Sequence, residues 1–180
     1  MKLYKASSPS VEVNGETVYA IIDGMGAFKA KALKILSDNG IEDPKPGNWY
    51  KQQAWLDAFK VIADQIGAST LNSIGQKIPE NAKFPPEIDD IHKGLAAIDV
   101  AYHMNHRNGS IGNYTYEKVD DKNVRIVCTN PYPDEFDKGI IVSMSRKFKP
   151  AGVISVKVNI DESKPTRTKG GDSTTFLVSW

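Results

Sequence analysis

All three histidines of the chain, His92, His103 and His106, fall within one stretch with the apolar spacing of a helix. Asp99, His103 and His106 are separated by four and three residues, so a helix places them on one face. Imidazoles at this spacing can ligate one transition-metal ion, and a carboxylate one turn away can be a third ligand or orient an imidazole. The spacing is therefore that of a metal site at Asp99, His103 and His106.

Other roles for these residues stay open. Asp99 and His103 can form an ordinary ion pair along a helix, while His106 stabilises the helix end. The same side chains can provide the polar contacts of an organic ligand, and one histidine above an apolar pocket is what haem iron requires. His92 lies two turns earlier and is expected to be a partly exposed surface residue.

Cys128, the only cysteine, lies on a predicted strand whose alternation turns it towards the histidine helix. A lone cysteine on a strand is typically a small buried apolar residue, although it is also a candidate ligand contact. Aromatic residues complete a possible pocket with an apolar wall and few polar groups, the usual composition of a small-molecule site. The candidate walls are Trp55, Tyr102, Tyr114 and Phe136.

The histidines depend on a predicted helix from Pro86 to Arg107, with Ile91, Leu95 and Ile98 along its buried side. The spacing of apolar residues also predicts helices over 48–66 and 68–78, and a further helix over 134–147. Strands are predicted over 114–118, 124–128, 153–160 and 174–180. Asn-Gly between alternating residues predicts an N-terminal hairpin within residues 1–22.

These elements predict a single α+β domain over residues 1–180, with N-terminal helices packed on a mostly antiparallel sheet. Its parts are the hairpin of residues 1–22, a helical part over 23–108, and a sheet with one inserted helix over 112–180. The 180 residues, 40% of them apolar, are enough for one core.

The charge and cysteine content restrict the class of protein. A net charge of +1 without a basic run gives no reason to expect a nucleic acid or a membrane as partner. One cysteine excludes an internal disulfide and fits a reducing compartment. We therefore expect a cytoplasmic protein.

The run from Cys128 to Gly139, CTNPYPDEFDKG, follows a long helix and a hairpin, and Thr168–Trp180 forms a glycine-rich turn into a final strand. This order resembles the superfamily of 4-vinyl reductase-type small-molecule-binding domains, haem nitric-oxide-binding domains and Golgi transport-particle subunits. The resemblance implies a domain that often dimerises. It also implies a small apolar or tetrapyrrole-related molecule held between helices and sheet.

The chain departs from this family at two places. Vinyl-reductase relatives often carry cysteines around the last glycine turn, where this chain has Pro165, Thr166, Ser173 and Thr174. The haem branch has a Tyr-x-Ser-x-Arg pattern after its helix, where this chain reads CTNPY over residues 128–132. Neither a cysteine metal site nor that mode of haem binding is expected here.

The leading hypothesis is a homodimeric, ligand-binding sensor domain without catalytic turnover. Its site is predicted between the 86–107 helix and the 114–128 hairpin, with the ligand unknown: a transition metal, or a tetrapyrrole-like or other apolar molecule. The predicted contact residues are Asp99, Tyr102, His103, His106, Tyr114, Cys128, Trp55 and Phe136. The alternatives are a metal-dependent enzyme using Asp99, His103 and His106, and an assembly module with a filled core.

Overall fold

A computed structural model describes residues 1–180 as six α-helices and two antiparallel sheets. The helices are α1 (Gly15–Gly24), α2 (Lys29–Asp38), α3 (Gln52–Gln65), α4 (Ala68–Asn81), α5 (Ile91–Met104) and α6 (Asp134–Lys147). The strands are β1 (Glu12–Asn14), β2 (Trp49–Lys51), β3 (His106–Arg107), β4 (Tyr114–Lys118), β5 (Asn123–Cys128), β6 (Lys157–Ile160) and β7 (Thr174–Ser179). The predicted α+β class is confirmed. No helix combines the length and the hydropathy needed to cross a bilayer.

The predicted N-terminal hairpin is wrong, because the chain passes from β1 into helix α1 at Asn14-Gly15. Asn14 Oδ1 accepts a hydrogen bond from the Thr17 amide at 2.9 Å, which caps the helix. Gly15 has no room for a side chain, since a Cβ there would overlap the Lys45 carbonyl. Strand β1 pairs instead with β2 and β3, which come from distant parts of the chain.

Helix α5 is shorter than the predicted helix from Pro86 to Arg107. It begins at Ile91, because Asp90 has an extended backbone and its Oδ1 accepts from the Lys93 amide at 2.8 Å. It ends at Met104, since the chain then pairs with β1. His106 therefore lies on a short strand rather than on the helix.

Two other helix boundaries differ from prediction. The helix predicted over 48–66 begins at Gln52, because Trp49–Lys51 forms a strand paired with β1. Helix α4 was predicted to stop before Pro79, but it includes that residue and ends at Asn81. Pro79 lies in its last turn.

The larger sheet has the strand order β4-β5-β7-β6. The predicted hairpin is confirmed, with Tyr114 opposite Cys128, and α6 covers the predicted range of 134–147. The strand predicted over 153–160 is limited to its second half, Lys157–Ile160. The alternation of side chains turns Tyr114 and Cys128 into the core.

Helices α4 and α6 make the most extensive helix–helix contact of the protein. A Cβ on Gly75 of α4 would overlap the Phe136 carbonyl oxygen, and a Cβ on Gly139 of α6 would overlap the Asn72 carbonyl oxygen. The two backbones therefore touch directly. Only glycine permits this approach.

An aromatic cluster joins α3 to the start of α6. The Phe59 ring lies 4.8 Å from Trp55, 5.9 Å from Tyr132 and 4.7 Å from Phe136, measured between centroids. All four side chains are buried. Edge and tilted contacts of this kind stabilise a core beyond the area that they bury.

Candidate functional site

A cavity of about 80 Å³, the inner cavity, lies between helices α4, α5 and α6. Eleven of its fifteen lining residues are apolar. The walls contributed by the three helices include Ile78, Pro79, Ile98, Ala101, Ile140 and Met144. Such walls can surround a small apolar molecule.

His106 is the histidine that lines this cavity, and it is buried. Its Nδ1 lies 2.8 Å from the Tyr102 carbonyl oxygen, which can only accept, so Nδ1 carries the proton. Its Nε2 lies 2.6 Å from the Tyr132 hydroxyl oxygen, and this hydroxyl therefore donates to Nε2. Burial lowers the pKa of His106 from 6.5 to about 4, so the imidazole is neutral at physiological pH.

The Tyr132 hydroxyl is held from two sides. It donates to His106 and accepts from Gln52 Nε2 at 3.3 Å. Burial raises the pKa of Tyr132, which keeps the hydroxyl protonated. Gln52 Oε1 and Trp55 Nε1 are also buried and have no hydrogen-bond partner in the protein. The hydrogen bonds from Gln52 to Tyr132 and from Tyr132 to His106 connect α3 to the wall of the inner cavity.

Four of the side chains predicted to contact a ligand line the inner cavity: Tyr102, His106, Tyr114 and Phe136. Trp55 packs behind this wall against Phe59. Cys128 is buried in the sheet, and burial raises the pKa of its thiol, as does the nearby Asp137 carboxylate. Neither Trp55 nor Cys128 reaches the cavity.

Asp99 and His103 lie on the outer side of α5. His103, with 46% of its side chain exposed, places Nδ1 2.9 Å from the Asp99 carbonyl oxygen and 3.6 Å from Asp99 Oδ2. Asp99 Oδ1 accepts from the Tyr114 amide at 2.7 Å. Because His106 faces Tyr132, the three predicted metal ligands do not converge. The protein contains no group of three His, Cys, Asp or Glu side chains placed to share an ion.

His92 connects the start of α5 to the β4–β5 hairpin. Its Nδ1 lies 2.7 Å from the Tyr116 hydroxyl and its Nε2 3.1 Å from the Asp121 carbonyl oxygen. Its ring meets Trp180 edge-on at 5.0 Å. The prediction of a partly exposed histidine is confirmed, and the residue links the helix to the sheet.

A buried ionic network at the start of α6 has no counterpart among the predicted site residues. The Arg167 guanidinium lies 2.7 Å from Asp134 Oδ1 and 2.6 Å from Asp137 Oδ2. It also donates to Asn130 Oδ1 at 2.7 Å, and Thr174 Oγ1 donates to Asp134 Oδ1 at 2.7 Å. The acidic first turn of α6 is therefore bound to a distant loop and to the last strand.

We expect the neutral state of His106 to make stability depend on pH. In the unfolded chain the imidazole takes up a proton near its usual pKa of 6.5, whereas in the folded protein it does so only near 4. The free energy of unfolding should therefore fall by about 2 kcal/mol between about pH 7 and pH 5, relative to His106→Gln. Urea unfolding followed by circular dichroism at each pH measures this difference. Parallel pH profiles for the two proteins would contradict it.

No model of a known protein family matches the chain, and no curated protein matches it in sequence. Solved structures do match. An H-NOX protein from S. oneidensis in the Fe(II)NO ligation state has a TM-score of 0.65 and 11% identity, over 92% of this chain and 98% of that one. An Fe(II) unliganded H-NOX protein from K. algicida has a TM-score of 0.61 and 12% identity, over 92% and 95%. The chain has the H-NOX fold.

This confirms, for the fold alone, the haem nitric-oxide-binding part of the resemblance drawn from the sequence. The likeness to vinyl reductases and to transport-particle subunits stays a prediction. At identities of 11–12%, the comparison extends to the arrangement of helices and strands and not to individual side chains.

Proposed function

We propose that the protein is a sensor-type domain, without catalytic turnover, that holds a compact apolar molecule in the inner cavity. The proposal depends on one observation: the apolar walls of α4, α5 and α6 leave a cavity of about 80 Å³ instead of closing on one another. Protein cores are normally close-packed, and a cavity costs stability because its lining loses contacts. A molecule that occupies the cavity restores those contacts.

The size and charge of the inner cavity restrict the ligand. Its volume of about 80 Å³ is below the roughly 300–1,000 Å³ typical of pockets for drug-sized molecules. No lining residue carries a formal charge at neutral pH, since His106 is neutral. The part of the ligand that enters is therefore small and uncharged, because a buried ion without a partner is strongly unfavourable.

The similar structures include proteins with a distorted haem and an H-NOX protein in the Fe(II)NO ligation state. The residues of this chain do not fit haem. His106 Nε2 already accepts a hydrogen bond from Tyr132, and the inner cavity is too small for a porphyrin. Arg167 is bound by Asp134 and Asp137 and is not available to an anionic side group. We therefore propose a ligand other than haem.

The other hypotheses receive less support. A metal-dependent enzyme requires Asp99, His103 and His106 to converge, and in this arrangement they do not. An assembly module with a filled core does not account for the inner cavity. The homodimer and the cytoplasmic location stay predictions.

Xenon under pressure is a suitable probe, because it enters dry apolar cavities without needing a polar contact. We expect it to bind to the purified protein and to shift the methyl NMR signals of Ile98, Ile140 and Met144. Ala101→Leu should abolish these shifts by filling the inner cavity. Ala96→Leu is the matched control, since Ala96 lies on the exposed side of the same helix.

Failure of xenon to shift the methyl signals of the wild-type protein would overturn the proposal. Shifts that persist unchanged in Ala101→Leu would also overturn it, because they would place xenon elsewhere.

A further inference from the structure

A second, more polar space, the outer cleft, adjoins the inner cavity between the start of α1 and the ends of α4 and α5. The outer cleft has a volume of about 350 Å³, and only three of its ten lining residues are apolar. Thr17, Ile78, Ala82 and Asn105 line both spaces. The two spaces therefore meet at these four residues, and a molecule that spans both must pass between them.

Thr17 is the free hydrogen-bonding group at this junction. Its amide donates to Asn14 Oδ1, but its hydroxyl has no partner within the protein. The neighbouring Asn105 is already engaged, because its Nδ2 donates to the Ala101 carbonyl oxygen at 2.7 Å and its Oδ1 accepts from Asn14. A ligand that crosses the junction meets one hydroxyl with a donor and an acceptor to offer.

The outer cleft offers no buried counter-ion to a charged ligand. Glu16 accepts from the Gly47 amide at 3.1 Å, and Lys77 pairs with Glu80 at 2.6 Å. Lys83 has no ion-pair partner but is exposed, so water weakens its attraction for an anionic head group. Acidic and basic groups thus lie on the same rim, and an exposed ion pair adds little to affinity.

We propose, building on the proposed function, that the ligand is an uncharged amphiphile. Its short apolar chain occupies the inner cavity, and a hydroxyl or amide head lies in the outer cleft against the Thr17 hydroxyl. The two spaces have the polarity that such a molecule requires at each end, and they meet at residues shared by both.

A matched set of six-carbon compounds tests this inference by NMR titration of the full chain: 1-hexanol, hexanamide, hexanoate and hexylammonium. We expect 1-hexanol and hexanamide to bind about tenfold more tightly than the two ions, because the ions must shed water and the one unpaired cation on the rim, Lys83, is exposed to solvent. Thr17→Val should weaken 1-hexanol binding by about fivefold through loss of one hydrogen bond. Thr17→Ser keeps the hydroxyl and should bind 1-hexanol as the wild type does.

The xenon measurement separates this inference from the proposed function. Xenon binding together with equal or tighter binding of hexanoate or hexylammonium would overturn the uncharged head but leave the inner cavity as the site. Xenon binding with no effect of Thr17→Val would overturn the contact with Thr17. Absence of xenon binding would overturn the proposed function and this inference with it.

Discussion

Replacement of Arg167 by methionine is expected to lower the free energy of unfolding by about 3–5 kcal/mol. The Arg167 side chain has no exposed surface, and its guanidinium pairs with Asp134 and Asp137. Methionine fills much of the same volume but leaves both carboxylates buried without a cation. Urea unfolding at neutral pH, followed by circular dichroism, measures the loss.

The control for Arg167→Met is the loss of a cation from a solvent-exposed ion pair. Lys34 and Asp38 pair at 2.9 Å with side chains 74% and 58% exposed. Lys34→Met should change stability by less than about 0.5 kcal/mol, because exposed pairs contribute little. Similar decreases in the free energy of unfolding of the two variants would contradict the larger contribution expected of the buried network.

Gly75→Ala is expected to destabilise the protein by about 3 kcal/mol, against the usual direction of this substitution. In most helices alanine is the more stable residue by about 0.5–1 kcal/mol. Here the added Cβ would overlap the Phe136 carbonyl oxygen, so α4 and α6 must move apart. Thermal unfolding and urea unfolding both report the change.

Ser73→Ala is the control on the same helix, because Ser73 is exposed and its hydroxyl bonds only to the Ser69 carbonyl at 3.3 Å. We expect its effect to stay within about 0.5 kcal/mol. A neutral or stabilising effect of Gly75→Ala would mean that the two backbones are not in contact.

Elements with strong local signals could be predicted from the sequence. Helix α6 has acidic residues in its first turn and Arg146 and Lys147 in its last turn. These charges favour a helix start and a helix end, so both boundaries could be predicted. The Asn14-Gly15 pair carries a signal that suits either a hairpin or a helix start. The structure has the helix start, with β1 paired to β2 and β3, and these partners come from distant segments that no local pattern contains.

The candidate site was predictable only in part, for the same reason. Tyr102 and His106 were expected to face a pocket, because they are spaced along one apolar stretch. The pairing of His106 with β1 turns it away from His103, and this depends on a strand far earlier in the chain. Arg167 comes from a polar, glycine-rich segment, and its acidic partners Asp134 and Asp137 lie 33 and 30 positions earlier in the chain.

The direct backbone contact between α4 and α6 means that these two walls of the inner cavity cannot shift relative to each other without a backbone clash. We expect α5 to yield more readily, since its Gly94 meets the Phe148 side chain and not a backbone. We therefore expect a ligand slightly too large for the inner cavity to displace α5 and not α4 or α6. Because His92 and Asp99 hydrogen-bond to the β4–β5 hairpin, such a displacement would be transmitted to that hairpin.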